Sequence, residues 1–179
     1  MKRQQLLHLL NIYQPTLEEA TFKDRMINFV TAHEDCFERS LAEGHITASA
    51  WLLNTDATQA LIMHHTKLDR WFQLGGHCDG ESDVLAVAIK EAQEESGIMN
   101  IVPVSGEIFD IDIHLIPARK HEPEHYHYDV RFLLKVVGDK QVVQNSESKE
   151  LRWIGKDGSE LPGCNQSVLR MFSKWAGVL

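Results

Sequence analysis

A glycine-rich loop that runs directly into an amphipathic helix is the feature that most constrains the fold of this chain. The loop spans residues 75–81 and begins with a Gly-Gly pair. Apolar residues then recur at Leu85, Ala88, Ile89 and Ala92, a spacing that predicts a helix with one buried face. The sequence therefore predicts a tight turn that delivers the chain to a helix packed against a core.

Three glutamates on the same helix predict a metal site. Glu91, Glu94 and Glu95 are spaced i, i+3 and i+4, so we expect them to cluster away from the apolar face. Carboxylates this close repel one another unless a cation neutralises them. Oxygen ligands suit Mg²⁺ or Mn²⁺, which also bind phosphate groups. These glutamates are therefore the candidate metal ligands and catalytic residues.

The loop and helix together resemble the signature box of the Nudix hydrolases. In that box a glycine, a glutamate and the run Arg-Glu-X-X-Glu-Glu-X-Gly follow at fixed offsets, and residues 76–97 fit its length. Lys90 replaces the arginine, and the first glutamate falls one residue early, as Glu81, with Ser82 in its expected place. We interpret this as a loop shortened by one residue. We predict that Glu81 and Lys90 form the ion pair that fastens the loop to the helix, more loosely than arginine would.

The fold that the resemblance implies is α+β, a Nudix-type α/β/α sandwich with a mixed sheet and an N-terminal helical appendage. The apolar period agrees, because it is helical at the start of the chain and becomes that of strands from about residue 46. We divide the chain into the appendage, residues 1–40, and a Nudix hydrolase domain, residues 41–179. The appendage is expected to serve packing rather than substrate gating, and Thr16 with Glu19 predicts a capping box.

Alternation and turn residues predict the strands of the hydrolase domain. We expect a hairpin from residues 49–53 and 60–64, and a short strand at 71–74 that leads into the glycine loop. Three later strands and a closing helix are expected at residues 107–116, 126–136, 151–154 and 166–175.

Two of these later strands carry alternating polar residues, which places each polar set on one face of the sheet. If the segment between them is a hairpin loop, a symmetric register sets His114 opposite His127 and Asp112 opposite Asp129. Facing aspartates need compensation, for which Arg131, a cation or a substrate group are the candidates. The alternative is an ordinary polar surface that faces solvent.

We assign this polar face to the pocket that holds the leaving part of the substrate. Its candidate substrate-binding residues are His77 in the loop and His114, His127, Asp129 and Arg131 on the strands. The histidines can donate to phosphate or sugar oxygens, and they can also bind a softer metal such as zinc. The segment at residues 117–124 is expected to close over the substrate as a lid.

Composition narrows the partners and the compartment. With 179 residues and a formal net charge of −8, the chain can form one sizeable core and does not suit nucleic acid as its main partner. Cys36, Cys78 and Cys164 are scattered and form no metal motif, which favours the cytoplasm. We expect no membrane segment. The expected substrate is a small-molecule nucleotide, and a homodimer is a possible assembly.

The activity that the resemblance implies is metal-dependent hydrolysis of a phosphoanhydride (pyrophosphate) bond in a nucleoside diphosphate linked to another moiety. Mg²⁺ or Mn²⁺ would bridge Glu91, Glu94 and Glu95 to the diphosphate, and the backbone at Gly76 would approach the metal. The general base would be one of these glutamates or a later one, with Glu147 and Glu150 as candidates.

Two other functions stay open. One is a Nudix-like regulatory module that binds a nucleotide without cleaving it, against which the intact glutamates argue. The other is an isomerase like isopentenyl diphosphate isomerase, which would need a well-placed cysteine. Cys78 is expected to be inert, because no base accompanies it in the sequence.

Overall fold

The computed structural model describes residues 3–119 and 123–177, and within these ranges eight strands form one mixed sheet. The strands are β1 (Gly44–Leu53), β2 (Gln59–His65), β3 (Arg70–Phe72), β4 (Leu74–His77), β5 (Ile101–Pro103), β6 (Asp110–Ile116), β7 (His125–Val136) and β8 (Ser148–Gly155). The helices are α1 (Gln4–Ile12), α2 (Ala20–Ala32), α3 (Val84–Ser96) and α4 (Gln166–Ala176). None of the helices in the described ranges is long and apolar enough to cross a membrane.

The sheet is built around β1 and β7, which run parallel from Gly44 opposite Tyr126 to Leu53 opposite Lys135. On its other edge, β1 pairs antiparallel first with β4 and then, at its end, with β2. β7 likewise pairs antiparallel with β6 and then with β5. Each of the two central strands therefore serves two antiparallel partners in succession along one edge.

Alternation along β1 divides its side chains between two cores. The even-numbered residues 46–52 belong to a large apolar cluster that also contains residues of α1, α2 and α3. Trp51 and Leu53 belong to a second cluster, which contains Val168 and Met171 of α4. Helices therefore cover both faces of the sheet, and the predicted α/β/α sandwich with a mixed sheet is confirmed.

Local signals fix both ends of α3. The Asp83 side chain accepts a hydrogen bond from the backbone N–H of Ala86 at 3.1 Å, which satisfies one of the free donors of the first turn. Gly97 ends the helix in the left-handed conformation, with a φ of 73°. These two residues decide where the helix begins and ends, and so which turn its glutamates occupy.

The predicted N-terminal helices are present as α1 and α2. Glu19 accepts hydrogen bonds from the backbone N–H (2.8 Å) and the hydroxyl (2.7 Å) of Thr16. This is one half of the predicted capping box: the N–H of Glu19 bonds to the backbone carbonyl of Thr16 instead of its hydroxyl, and α2 begins only at Ala20. Glu19 is fully buried and also forms an ion pair of 2.6 Å with Lys174 of α4. The appendage is thus tied into the rest of the molecule, and its division from the hydrolase domain at residue 40 stays a prediction.

The predicted hairpin forms the facing ends of β1 and β2, where Leu52 lies opposite Leu61. The single strand predicted at residues 71–74 is in fact two short strands. β3 pairs with β2, whereas β4, which follows it, pairs with β1. β5 was not predicted from the sequence. Residues 120–122 of the predicted lid lie outside the described residues.

Candidate active site

The glycine loop packs directly on α3. The backbone N–H of Gly75 donates a hydrogen bond of 2.8 Å to Oε2 of Glu95. A Cβ on Gly76 would overlap the carboxylate of Glu91, so a larger residue there would displace that side chain. The Gly-Gly pair is therefore required by the close approach of the loop to two of the predicted metal ligands.

The three glutamates of α3 differ in their surroundings. Glu94 is exposed, whereas the Glu91 side chain is largely buried and Glu95 is only 5% exposed. The expectation that all three lie away from the buried face is wrong for Glu95, because the loop covers it. Sequence periodicity could not show this, since the covering comes from β4 and not from the helix.

Burial is the main cause that raises the pKa of Glu95 to about 8; the charges of Glu91, Glu147 and Glu94 contribute to the rise, and the hydrogen bond from Gly75 opposes it. Burial is also the main cause that raises the pKa of Glu91. These carboxylates are thus poorly compensated by the protein itself. A divalent cation with oxygen ligands fits this donor set, because it would supply the positive charge that the cluster lacks.

Lys90 lies beside the carboxylates of α3. Its ammonium is 3.3 Å from Glu91 and 3.5 Å from Glu94. The carboxylate of Glu81 accepts hydrogen bonds from the backbone N–H groups of Ser82 (2.6 Å) and Asp83 (2.9 Å), which shapes the turn into the helix. The ion pair between Glu81 and Lys90 stays a prediction.

Glu147 and Glu150, the two candidates for the general base outside α3, have different surroundings. The negative charge of Glu147 raises the pKa of both Glu91 and Glu95, so Glu147 lies within the field of the carboxylate cluster. Glu150 lies on β8 and forms an ion pair of 2.7 Å with Arg152. Of these two candidates, Glu147 is the one whose charge acts on the helix glutamates.

The predicted register of the two polar strands is confirmed. In the pairing of β6 with β7, His114 lies opposite His127 and Asp112 opposite Asp129. Arg131 provides the compensation that facing aspartates need, because its guanidinium contacts Asp129 at 2.7 Å and Asp112 at 3.1 Å. It also contacts Asp110 at 2.8 Å, and Arg170 of α4 contacts the same carboxylate at 2.9 Å.

Asp129 and Arg131 are almost completely buried. Asp129 also accepts hydrogen bonds from the hydroxyls of Thr47 (2.9 Å) and Ser49 (2.8 Å), which the sequence analysis did not single out. With their charges engaged by neighbours, both residues hold β1, β6 and β7 together. Their assignment to substrate binding stays a prediction, and their burial counts against direct contact with substrate.

Five histidines gather at one end of this polar face. Ring centroids of His77 and His127 are 5.0 Å apart, and those of His114 and His127 are 5.4 Å apart. His45 and His125 join them, with centroids 4.7 Å and 5.1 Å from His127. His45 was missed, although His45, Thr47 and Ser49 alternate with apolar residues just as the polar residues of the later strands do.

The polar face lies on the opposite side of the sheet from α3. Gly76 faces Glu91, and the next residue of β4, His77, points the other way because side chains alternate. Val130 and Phe132 belong to the core that contains α3, whereas Asp129 and Arg131, which alternate with them along β7, point to the other face. A single cleft that holds both the helix glutamates and these histidines stays a prediction, and the alternation counts against it.

Cys78 is buried beside the loop. Burial is the main cause that raises the pKa of its thiol far above the ordinary value, and the charge of Asp129 adds to this. A protonated, buried thiol is a poor nucleophile. This agrees with the expectation that Cys78 is inert and weakens the case for a cysteine-dependent isomerase.

The chain matches a known protein family over most of its length. The family model of the NUDIX domain matches residues 44–168. No curated protein matches the sequence.

Several solved structures share the fold. An Ap4A hydrolase from C. elegans in a binary complex is 14% identical, with a TM-score of 0.59 over 74% of this chain and 96% of the other. A NUDIX-family hydrolase from Clostridium perfringens is 22% identical, with a TM-score of 0.57 over 75% and 97%. A MutT protein from Methanosarcina mazei is 17% identical, with a TM-score of 0.58 over 77% and 96%. At these identities the similarity shows the fold alone.

The match to the family model covers more than half of the chain and begins at the first residue of β1. It includes the glycine loop, α3 with its glutamates, the polar strands and β8. The chain therefore belongs to the NUDIX family.

Proposed function

We propose that this protein is a metal-dependent hydrolase that cleaves the pyrophosphate bond of a nucleoside diphosphate linked to another moiety. The observation that carries the proposal is the packing of Gly75 and Gly76 on Glu95 and Glu91. It gathers carboxylates whose pKa values are raised mainly by burial and, less, by the charges of the neighbouring glutamates. A phosphate substrate is also negative, so the site needs a cation to bind it.

Mg²⁺ or Mn²⁺ is the proposed cofactor, held by Glu91, Glu94, Glu95 and the backbone at Gly76. When bound, it would neutralise the diphosphate and lower the pKa of an attacking water. The Gly75 N–H fixes the orientation of Glu95, and the Lys90 ammonium reduces repulsion between Glu91 and Glu94. These contacts keep the carboxylates in place before substrate arrives.

We propose Glu147 as the general base. Its backbone N–H donates to Oδ1 of Asn145 at 2.9 Å, and the Asn145 amide donates to the backbone carbonyl of Glu94 at 3.2 Å. Its own carbonyl accepts from the N–H of Thr66 at 2.8 Å. The Asn145 amide thus ties the Glu147 segment to α3, and the Thr66 bond ties it to the end of β2. A residue that removes a proton from water next to the cluster needs such a fixed position.

Composition supports the proposed partner and compartment. A small-molecule nucleotide, rather than nucleic acid, is the expected partner of a chain with a net charge of −8. The free cysteines agree with the cytoplasm. His77, His114 and His127 stay candidates for contacts with the leaving part of the substrate.

A substrate screen tests the function. The full-length protein would be incubated with nucleotide sugars, dinucleoside polyphosphates, deoxynucleoside triphosphates and coenzyme A derivatives, each with Mg²⁺ or Mn²⁺. We expect release of a nucleoside monophosphate or phosphate from one class. Glu94→Gln should slow this release by more than about 100-fold, because loss of a metal ligand costs more than loss of its supporting contacts. Glu107→Gln, an exposed glutamate outside the site, is the matched control.

The alternatives give different outcomes in the same screen. A nucleotide that binds tightly but is never cleaved would favour the regulatory module. A product with unchanged phosphate content and a rearranged carbon skeleton would favour the isomerase. Equal turnover by Glu94→Gln and the unaltered protein would remove Glu94 from the metal site.

A further inference from the structure

A second cluster of metal-ligand type lies on the polar face. His45, His77 and His127 each offer one ring nitrogen, and these three nitrogens lie within 4.8 Å of one another. They come from three adjacent strands, since His45 of β1 lies opposite His127 of β7, and β4 brings His77 opposite Thr47. The pairing of β1 with β7 begins one residue before His45, and His77 is the last paired residue of β4, so the cluster lies at one end of a paired three-strand frame.

His45 provides an independent sign that something is bound here. Its side chain is buried, at 3% exposure, yet neither ring nitrogen has a hydrogen-bond partner in the described structure. A buried polar group without a partner destabilises the folded protein, so such groups are rare unless something binds them. Its ring instead faces the rings of His77 and His127, with centroids 5.1 Å and 4.7 Å away.

We propose that His45, His77 and His127 bind a transition-metal cation of the zinc class. Neutral imidazole suits Zn²⁺, Co²⁺, Ni²⁺ and Cu²⁺, whereas Mg²⁺ and Mn²⁺ prefer oxygen. Three histidines with a further position left for water or an anion are an established ligand set for zinc. A metal bound there would satisfy His45 and tie β1, β4 and β7 together beside the glycine loop.

A fourth histidine can add to the three proposed ligands. His125 lies next to the cluster, where its Nδ1 is 2.9 Å from the carbonyl of Pro123 and must donate to it. With Nδ1 as its donor, neutral His125 accepts a hydrogen bond at Nε2 from Nε2 of His127 (3.2 Å). Both Nε2 atoms can act as ligands only when His127 carries its ring proton on Nδ1 instead.

This site differs from the carboxylate site in ligand chemistry and in place. The histidines lie on the face of the sheet opposite α3, because His77 and Gly76 point in opposite directions. Loss of metal binding at the histidines would therefore leave the carboxylate site on α3 intact, although His77 and His127 are also the candidates for substrate contacts.

Metal titration tests the inference. The full-length protein would be stripped with a chelator and titrated with Co²⁺ in excess Mg²⁺, which occupies oxygen-ligand sites, while the visible absorption of the bound Co²⁺ is recorded. We expect about one Co²⁺ per chain, displaced by Zn²⁺. His127→Gln should weaken this binding by at least about tenfold.

Two control variants locate the binding. His64→Gln changes a sheet histidine outside the cluster, and Glu94→Gln changes the carboxylate site; both should bind Co²⁺ as the unaltered protein does. Should His127→Gln fail to fold, His77→Gln at the end of β4 replaces it. X-ray absorption of the zinc-loaded unaltered protein should show at least three imidazole ligands. This measurement does not depend on whether the variants fold. The proposal is overturned if no Co²⁺ is retained in excess Mg²⁺, if zinc has oxygen ligands only, or if Glu94→Gln alone abolishes binding.

Discussion

The carboxylates on α3 and those on the polar face of β6 and β7 are both crowded, but they are neutralised in different ways. On the polar face, Arg131 is buried among Asp110, Asp112 and Asp129, so the cation belongs to the protein. On α3, the cation that contacts the glutamates is Lys90, whose side chain is 62% exposed. A built-in cation makes a permanent structural network, whereas an incompletely compensated cluster can take an exchangeable metal. The same residue types thus serve the scaffold in one region and chemistry in the other.

The largest expected effect breaks the polar-face network. Arg131→Met should destabilise the protein by about 3–5 kcal/mol, because it leaves buried aspartates without their partner. Urea denaturation with a fitted midpoint and slope measures this. Arg152→Met is the matched control, since Arg152 forms a more exposed pair with Glu150 that is worth about 0–1 kcal/mol. Equal losses for the two variants would show that Arg131 is not the centre of the network.

The next effect concerns catalysis beside α3. On whichever substrate the screen identifies, Glu147→Gln should lower kcat by about 100-fold or more, the usual contribution of a general base. Glu150→Gln should have a much smaller effect, because Glu150 is paired with Arg152 on β8. Steady-state kinetics on both variants decide between them, and the reverse order would assign the base to Glu150.

The two regions should also respond to pH with opposite signs. The folded pKa of Glu95, about 8, is above its ordinary 4.5, so the folded protein holds a proton that the unfolded chain releases. Stability of the chelator-treated protein should therefore fall as pH rises between about 4.5 and about 8. Melting temperatures measured across this range should show the fall, and Glu95→Gln should reduce it. An unchanged slope in that variant would contradict the burial of Glu95.

Asp110 should give the opposite response. Burial alone would raise its pKa, but Arg131 and the hydrogen bond from Arg170 outweigh this and lower it from 3.8 to about 2. Its stabilising contribution is therefore complete above about pH 4 and is lost as pH falls towards about 2. The melting temperature of the unaltered protein should drop across that window, and Asp110→Asn should show a smaller drop from a lower starting value.

The smallest effect is expected at Lys90. Lys90→Ala should reduce kcat/KM by less than about tenfold, because an exposed pair contributes about 1 kcal/mol or less. Lys149→Ala, which removes another exposed ion pair, is the control. A double-mutant cycle with Glu81→Gln would measure the predicted Glu81–Lys90 pair. A coupling energy near zero would reject the pair and leave Lys90 as a partner of the α3 glutamates only.

Local sequence signals were sufficient for much of the architecture. Apolar spacing placed α3, and Asp83 and Gly97 are typical residues for its two ends. Alternation and turn residues placed the hairpin of β1 and β2 and the register of β6 against β7. These features depend on neighbours in the chain or on one hairpin, which is why a single sequence contains them.

What the sequence by itself determined was the family box, the candidate carboxylates and the facing pairs of β6 and β7. Only the tertiary structure decided that Glu95 is buried under the loop, and that Glu147 rather than Glu150 acts on the cluster. The parallel pairing of β1 with β7 brought His45 to His127 from 82 residues away in the chain. Local patterns cannot specify such a contact, because burial and charge compensation depend on which distant strands become neighbours in the folded sheet.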